Sequence, residues 1–347
     1  MQIIKTALLS YGMSGKVFHA PFIVTHPGFQ LAGAWERSSK KIQEDYPEVT
    51  SYPTLEAVLA DQTIDLVIVN TPNDTHFDYA KKALLAGKNI VVEKAFTTTS
   101  QEGKELKALA EKQGKMISVY QNRRYDSDLR TVQQVIADNL LGGIVEAEFH
   151  YDRFKPFVGP KAHKETPAPG AGLLMDLGPH LVDEALVIFG MPQSIFADIR
   201  ITRPLSKVDD NFSLLLYYPT FRVILKASSS VREAIPANLV HGLKGSFIKP
   251  RADVQEADLI AGKKPGGAKW GIEPESGQGL LHTEKDGNVI REYIPSAAGN
   301  YGDYYEGIYQ ALANGKQVPV TADEGICTIQ VIEAAILSNK EKKVIYF

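Results

Sequence analysis

The chain has 347 residues, of which 44% are hydrophobic and 23% charged, and its formal net charge is −3. These values are typical of a globular protein with a large core, and they argue against a partner bound through phosphate charge, such as nucleic acid. The single cysteine, Cys327, excludes an intramolecular disulfide and a cysteine-based metal cluster, and we predict no metal site. No apolar run approaches 18 residues and no leader pattern opens the sequence, so we expect a cytoplasmic protein with no membrane partner.

A glycine-containing turn follows the first apolar run of the chain. Residues 3–9 predict a buried parallel strand, and Gly12, Met13, Ser14 and Gly15 come shortly after it. A dinucleotide-binding turn has the pattern G-x-G-x-x-G between a strand and a helix. Gly12 and Gly15 match its last two glycines, and Ser10 replaces the first. An ordinary glycine-rich turn remains the alternative.

The second predicted strand, residues 29–35, ends at Glu36, close to where a dinucleotide-binding sheet places its ribose-binding acid. A carboxylate there hydrogen-bonds the 2′-OH of NAD, whereas an arginine with serines can hold the 2′-phosphate of NADP. Arg37, Ser38 and Ser39 follow Glu36 directly, so the two signals conflict. From Glu36 we predict that NAD is accepted at least as well as NADP, with a solvated strand end as the alternative.

Strands and helices continue to alternate up to about residue 122. Five or six strand–helix units with short loops predict a doubly wound parallel sheet with right-handed crossovers. In such sheets, ligands bind beyond the carboxyl ends of the strands. Gly12, Glu36, Thr71, Lys94 and Asn122 all lie at predicted strand ends. Their convergence is stronger evidence for a nucleotide site than any single motif.

From about residue 125 the pattern changes to helices and then to successive strands. The predicted strands are residues 144–151, 194–203, 212–218, 221–228, 237–241 and 246–249. Strands in succession predict an antiparallel or mixed sheet, and Asp286-Gly287-Asn288 predicts a hairpin turn. We therefore divide the chain into a first domain, residues 1–122, and a second domain, residues 123–347, whose C-terminal helix can pack back on the first.

A predicted helix near the middle of the chain carries an aspartate and a histidine. Because proline is tolerated only in the first turn of a helix, Pro179 places the N-cap at Asp176, and the helix ends at Gly190. Asp176 and His180 are four residues apart and share a face. A carboxylate beside an imidazole can move a proton near neutral pH. The alternative is a capping aspartate next to a core histidine.

These motifs, in this order, resemble the glucose–fructose oxidoreductase/inositol dehydrogenase/MocA family, nearest its scyllo-inositol dehydrogenase-like branch. The matching motifs are Gly12-Met13-Ser14-Gly15, Thr71-Pro72-Asn73-x-x-His76, Glu93-Lys94, Gln121-Asn122-Arg123-Arg124, Asp176-x-x-x-His180 and Val320-Thr321-Ala322-Asp323-Glu324-Gly325. The likeness covers nearly the whole chain. It implies an α/β Rossmann domain with a doubly wound parallel sheet, followed by an α+β domain with a large open mixed or antiparallel sheet. The resemblance also implies that the outer face of that sheet is the subunit interface of a homodimer or homotetramer.

The resemblance also implies what individual residues do. Lys94, Asp176 and His180 stand in the positions of the catalytic lysine, aspartate and histidine, and the cofactor is NAD or NADP. The implied cofactor-binding residues are Gly12, Met13, Ser14, Gly15, Glu36, Arg37, Thr71, Pro72, Asn73, His76, Glu93, Lys94 and Asn122. Ala95 departs from the family because it replaces a proline that is typically cis, so we predict that Lys94–Ala95 is cis or replaced by a distorted turn.

The resulting hypothesis is an NAD(P)-dependent dehydrogenase acting on a CH–OH group of a sugar, inositol or related polyol. His180 is the candidate base, Asp176 its partner, and Lys94 the group that stabilises alkoxide charge. The candidate polyol-binding residues are Arg124, Asp152, Arg153, His163 and Tyr305, each of which could instead be merely solvated. Two rivals remain: a non-catalytic NAD(P)- and sugar-sensing regulator on the same fold, and an enzyme that recycles a tightly bound cofactor.

Overall fold

A computed structural model describes residues 2–36, 40–159 and 165–347 of the chain. The chain forms two compact units. The first unit comprises Met1–Asn122, Gln255–Trp270 and Asn300–Ile326; the second comprises Arg123–Val254, Gly271–Gly299 and Cys327–Phe347. Within the residues just given, no helix is long and apolar enough to cross a membrane.

The helices and strands are numbered here in chain order. The strands are β1 Ile4–Leu8, β2 Phe29–Trp35, β3 Thr50–Tyr52, β4 Leu66–Val69, β5 Asn89–Glu93, β6 Ile117–Tyr120, β7 Ile144–Asp152, β8 Ser194–Arg200, β9 Asn211–Tyr217, β10 Arg222–Ser228, β11 Asn238–Gly242, β12 Gly245–Lys249, β13 Gly279–Lys285, β14 Asn288–Ile294 and β15 Ile345–Tyr346. The helices are α1 Ala20–Thr25, α2 Lys41–Asp45, α3 Leu55–Ala60, α4 His76–Leu85, α5 Ser100–Gln113, α6 Ser127–Ala137, α7 Leu173–Phe189, α8 Gln255–Ile260, α9 Gly302–Asn314 and α10 Ala322–Glu341.

The first unit contains a six-stranded parallel sheet in the order β3-β2-β1-β4-β5-β6. This is the strand order of a doubly wound dinucleotide-binding sheet. All four residues of β4 are buried, as expected of a strand covered on both faces. The prediction of a Rossmann sheet is confirmed.

A later part of the chain covers the β6 edge of the same unit. The Ser118 hydroxyl hydrogen-bonds the Tyr304 hydroxyl at 2.9 Å and donates to the Val320 carbonyl at 2.7 Å. Rings of Tyr304 and Tyr305, both on α9, pack against Tyr120 with centroids 4.9 and 6.0 Å apart. The core of the first unit is therefore completed by residues some 180 positions away along the chain.

The helix α5 begins with a capping box one residue earlier than its composition suggests. The sequence predicts Ser100 as the cap, whereas the Thr99 hydroxyl accepts the Glu102 N–H at 3.2 Å and the Glu102 carboxylate accepts the Thr99 N–H at 3.2 Å. This reciprocal pair satisfies two amides that a helix start leaves unbonded. Gly114, in the left-handed conformation, then ends the helix.

The second unit contains a nine-stranded sheet in the order β14-β13-β12-β11-β7-β10-β9-β8-β15. β7 and β10 pair in parallel and the other neighbours are antiparallel, so the sheet is mixed. Burial alternates along β9, which shows that one face of the sheet packs on the core. The predicted hairpin is also confirmed, because Asp286 and Gly287, both with positive φ, join β13 to β14.

The predicted start of the central helix is wrong. The helix α7 begins at Leu173 with Gly172 as its N-cap, and Pro179 lies inside it instead of in its first turn. Pro179 has no N–H to donate to the carbonyl four residues earlier. The helix persists because most of its first thirteen residues are buried, so packing outweighs one lost hydrogen bond.

Candidate active site

The glycine turn after β1 has the close backbone approach that a dinucleotide site needs. A Cβ at position 15 would lie 2.3 Å from the Ser10 carbonyl oxygen, so only glycine fits there. Ser10, which replaces the first glycine of the fingerprint, accepts the Gly12 N–H on its hydroxyl at 3.2 Å. A Cβ at Gly12 would meet only the Ser10 hydroxyl, at 3.4 Å, which leaves its other side open to a pyrophosphate. The turn therefore fits the cofactor that the sequence predicts.

The Glu36 carboxylate, one residue beyond β2, is engaged with α2. Its Oε1 accepts the Lys41 N–H at 3.0 Å, and its Oε2 accepts the Ile42 N–H at 3.2 Å and the Ser51 hydroxyl at 3.3 Å. It thus caps a helix whose N-cap residue, Lys40, forms no side-chain cap. Arg37, Ser38 and Ser39 lie outside the described residues. The choice between NAD and NADP accordingly stays a prediction.

Replacing Glu36 by serine should raise the ratio of kcat/KM with NADP to kcat/KM with NAD. A carboxylate repels the 2′-phosphate of NADP, and serine removes that charge. The kcat/KM values with NADP and with NAD should be measured on the same substrate, with Glu56→Ser on α3 as the control. An unchanged ratio together with a lower melting temperature would leave Glu36 only its capping role.

Glu93, at the end of β5, connects three parts of the first unit. Its Oε1 accepts the Ser14 hydroxyl of the glycine turn at 2.7 Å and contacts Nε2 of the fully buried His19 at 3.0 Å. Its Oε2 accepts the N–H of Lys94 at 3.1 Å. Burial opposes ionisation, but the hydrogen bonds from His19 and Ser14 hold the pKa of Glu93 below its usual value. These contacts make Glu93 a support for the turn and for Lys94.

The peptide bond between Lys94 and Ala95 is cis, as predicted. His76, fully buried on α4, lies within 2.8 Å of the Ala95 carbonyl through Nδ1 and within 2.9 Å of the Thr71 carbonyl through Nε2. Burial lowers the pKa of His76, against the effect of these backbone contacts. His76 therefore joins the turn after β4 to the turn that carries Lys94.

The other predicted cofactor residues lie at strand ends of the same sheet. The Thr71 hydroxyl hydrogen-bonds that of Thr75 at 2.6 Å, and Asn73 begins a short 3-10 turn after Pro72. Asn122 is 5% exposed directly beyond β6. Met13 is half exposed in the glycine turn. Their contact with a dinucleotide stays a prediction.

Replacing Glu93 by glutamine should weaken dinucleotide binding by about tenfold or more and lower kcat. A hydrogen bond to a charged group contributes about 1.5–3 kcal/mol, and an amide cannot accept from Ser14 and Lys94 with both its atoms. Because folding lowers the pKa of Glu93, its stabilising effect is present above the unfolded pKa of about 4.3 and is lost as pH falls through the folded pKa.

Cofactor titration, kcat and melting temperature against pH would check this expectation, with the exposed Glu105→Gln as control. A Glu93→Gln protein with unchanged cofactor affinity and the same acid dependence of stability would contradict it.

In the second unit, Asp176 and His180 lie one turn apart on α7. Arg153 is near Asp176, with 4.0 Å between Nη1 and Oδ2. His180 is 6% exposed, and its ring stacks on that of Tyr151 with centroids 6.5 Å apart and an angle of 28° between the ring planes. The shared face predicted from the four-residue spacing is consistent with both residues lying within one continuous helix.

A cavity of about 410 Å³ lies beside Asp176 in the second unit. This is within the range of about 300–1,000 Å³ that is usual for small-molecule sites. Its lining includes Arg153, Lys155, Asp176, Arg203, Asp209 and Ser229. These groups can hydrogen-bond the hydroxyls of a ligand, and Leu173 and Val208 add apolar surface to the lining.

The predicted polyol-binding residues separate into different classes. Arg153 lines the cavity, and Asp152 lies 3.3 Å from Nδ1 of His150. Tyr305 is 1% exposed in the first unit, and its hydroxyl lies 2.6 Å from Nδ1 of His19, the residue whose Nε2 contacts Glu93. A contact between Tyr305 and substrate stays a prediction. His163 lies outside the described residues.

Arg124 anchors the helix α7, and its role as a polyol-binding residue stays a prediction. Its Nε and Nη2 donate to the two oxygens of Asp183 at 2.7 and 2.6 Å. Arg251 makes the same kind of paired contact with Glu184, at 3.0 and 3.1 Å. Such two-point pairs fix orientation as well as distance. Burial raises the pKa of Glu184 despite its arginine partner.

Sequence reasoning missed Tyr151 and Asp209. The Tyr151 ring lies beneath the guanidinium groups of Arg153 and Arg251, 4.9 and 4.7 Å from its centroid. Its place at the end of a strand, next to the candidates Asp152 and Arg153, was a signal that could have been used. No pattern in the sequence around Asp209 indicates that it lines the cavity.

Two family models match the chain. The oxidoreductase-family model for the NAD-binding Rossmann fold matches residues 4–121, and the model for the family's C-terminal alpha/beta domain matches residues 133–347. The chain belongs to the Gfo/Idh/MocA oxidoreductase family. The predictions of a family member, of an enzyme and of NAD or NADP as cofactor are confirmed.

The chain is also similar to individual members of the Gfo/Idh/MocA family along its whole length. It is 37% identical to scyllo-inositol 2-dehydrogenase (NADP(+)) IolW of Bacillus subtilis, with 99% of this chain and 95% of the relative covered. A solved oxidoreductase structure from Bacteroides fragilis is 45% identical with a TM-score of 0.91, covering both chains fully. The structure of yvaA from Bacillus subtilis is 36% identical with a TM-score of 0.96, covering 100% of this chain and 99% of the other.

Proposed function

We propose that the protein transfers a hydride between a nicotinamide cofactor and a hydroxyl-bearing carbon of a sugar, inositol or related polyol. The observation that carries this proposal is the cavity of about 410 Å³ beside Asp176, on the helix that also bears His180. A polyol presents several hydroxyls, and the cavity offers charged and polar partners of both signs. The similarity to a scyllo-inositol dehydrogenase supports the same substrate class.

The proposed mechanism gives each candidate catalytic residue a separate task. In the second unit, His180 takes the hydroxyl proton and Asp176 orients the imidazole or passes the proton on. In the first unit, Lys94 hydrogen-bonds the substrate oxygen and stabilises its developing negative charge. The bound dinucleotide supplies the hydride acceptor. The glycine turn, at Gly12 and Gly15, holds its pyrophosphate.

The cavity also suggests how the ring of the substrate is held. Arg153 has its guanidinium fixed over Tyr151 and its side chain one third exposed, so it can donate to substrate oxygens without moving far. Arg203 also lines the cavity, but its guanidinium is bound to Glu165 and Asp210. It therefore shapes the wall of the cavity more than it donates hydrogen bonds to a substrate. We further propose a homodimer or homotetramer, as the family resemblance implies.

A substrate screen tests the proposal. Purified protein should be mixed with NAD or NADP and with scyllo-inositol, myo-inositol, xylose or glucose, and the absorbance of the reduced nicotinamide followed. We expect turnover with at least one polyol. Binding of both cofactor and polyol without any turnover would favour a sensor, and dinucleotide retained through gel filtration would favour an enzyme that recycles its cofactor.

A further inference from the structure

The helix α7 has no side-chain cap of its own. Its N-cap residue is Gly172, which has no side chain, and Asp176 in its first turn uses its backbone N–H to bond the Gly172 carbonyl at 3.0 Å. The first backbone N–H groups of a helix lack partners within the helix. Something outside the helix must therefore satisfy them.

Asp209, in the segment before β9, supplies the missing acceptors. Its Oδ2 accepts the Leu174 N–H at 2.6 Å, and its backbone carbonyl accepts the Leu173 N–H at 2.9 Å. The two residues joined by the side-chain bond are 35 positions apart in sequence. A carboxyl from another segment thus does for α7 what an N-cap aspartate does for an ordinary helix.

Position 172 is adapted to this arrangement. A Cβ there would lie 2.0 Å from Asp209 Oδ1, so any side chain at 172 would collide with the carboxyl. Gly172 also has φ +92°, a conformation that favours glycine. The glycine and the distant aspartate therefore form one capping device.

The residue that follows Asp209 is anchored by several hydrogen bonds. The neighbouring Asp210 accepts the N–H groups of Thr202 and Arg203 at 2.7 and 2.9 Å, together with the Arg203 Nε–H at 3.0 Å. Asp210 is fully buried. Burial raises the pKa of Asp209, against the hydrogen bond from Leu174. Asp209 lines the same cavity as Asp176.

We propose that Asp209 is a positioning residue of the reaction, which fixes the first turn of α7 and thereby the direction in which Asp176 faces the cavity. The inference rests on the proposed function, because it assigns Asp209 a task in the same site. Misplacing a reacting group by about 1 Å can cost about 10²-fold in rate. Asp209 acts on the rate through Asp176 and does not itself touch the reacting atoms.

The test compares Asp209→Ala, Asp209→Asn and Gly172→Ala. Asp209→Ala should lower kcat by about 10²-fold while the dissociation constant for the dinucleotide stays unchanged. Asp209→Asn should keep most of kcat, because an amide oxygen can still accept the Leu174 N–H. Gly172→Ala should lower kcat to the same extent while Asp209 is chemically intact. The proposal can therefore still be tested if Asp209→Ala does not fold.

Thr54→Ala is the matched control, because the Thr54 hydroxyl caps α3 of the first unit by accepting the Ala57 N–H at 3.1 Å. It loses a cap of the same kind and should keep the wild-type kcat. Wild-type kcat in Asp209→Ala would overturn the proposal. So would an Asp209→Asn enzyme as slow as Asp209→Ala, since the carboxyl itself would then be needed on the substrate.

Hydrogen exchange separates this proposal from the proposed function. Amides of the first turn of α7 should exchange faster in Asp209→Ala than in the wild type, whichever substrate the enzyme takes. An inactive wild type whose Asp209→Ala variant shows this faster exchange would refute the polyol dehydrogenase and leave the cap in place. Unchanged exchange would refute the cap.

Discussion

Replacing Lys94 by alanine should lower kcat by about 10²–10⁴-fold and leave dinucleotide binding nearly unchanged. This is the usual contribution of a positioned acid–base group, and charge stabilisation at the substrate oxygen acts only as charge develops. The Lys94 backbone stays anchored, because its N–H bonds to Glu93 whatever the side chain is. The loss should therefore appear in kcat and not in the folding of the turn.

The measurement is steady-state kinetics on the best polyol, together with a titration of the cofactor. Lys104→Ala, an exposed lysine on α5, is the matched control and should behave like the wild type. Full turnover by Lys94→Ala would exclude the lysine from the chemistry. An equal loss of cofactor affinity and kcat would instead indicate a binding role.

Replacing His180 by alanine should remove most of the activity that rises with pH in the direction of alcohol oxidation. A general base works only in its deprotonated form, so the wild-type rate should increase as the imidazole loses its proton. The expected loss is again about 10²–10⁴-fold. Asp176→Asn should keep the helix but weaken the orientation of the ring, with a smaller loss.

Profiles of kcat against pH for the wild type and both variants would check this expectation, with the exposed His282→Ala as control. Added imidazole should restore part of the activity of His180→Ala, because it can occupy the vacated space and act as the base. A variant that keeps the rate and pH profile of the wild type would show that the base lies elsewhere.

What could be predicted from the sequence is what depends on local pattern. The buried strand before Gly12, the Asp286–Gly287 hairpin and the alternation of strand and helix each follow from a few neighbouring residues. Hydrophobic periodicity and the φ preference of glycine determine these features with little help from distant parts of the chain.

What could not be predicted depends on partners that are far away in sequence. The start of α7 differs from the prediction based on Pro179, because burial of the helix outweighs the hydrogen bond that the proline loses. Its actual cap, Asp209, is 35 positions from Leu174, and no local pattern shows that a distant carboxyl can replace an N-cap side chain. Arg124 and Arg153 look alike in the sequence, yet Asp183 binds the first while the second lines the cavity. The buried contact of Tyr305 with His19, far away in the sequence, likewise has no local sign.

The completion of the first unit by α9 has a consequence for how the protein is made. A chain emerging from the ribosome presents β1 to β6 first, but the rings of Tyr304 and Tyr305 that cover β6 are synthesised some 180 residues later. The nascent sheet must wait with Tyr120 and its neighbours uncovered while the second unit is translated. Contacts so distant in sequence slow folding and leave apolar surface open to aggregation. A fragment ending at residue 122 should therefore fold slowly and aggregate by itself, even though it contains every strand of the parallel sheet.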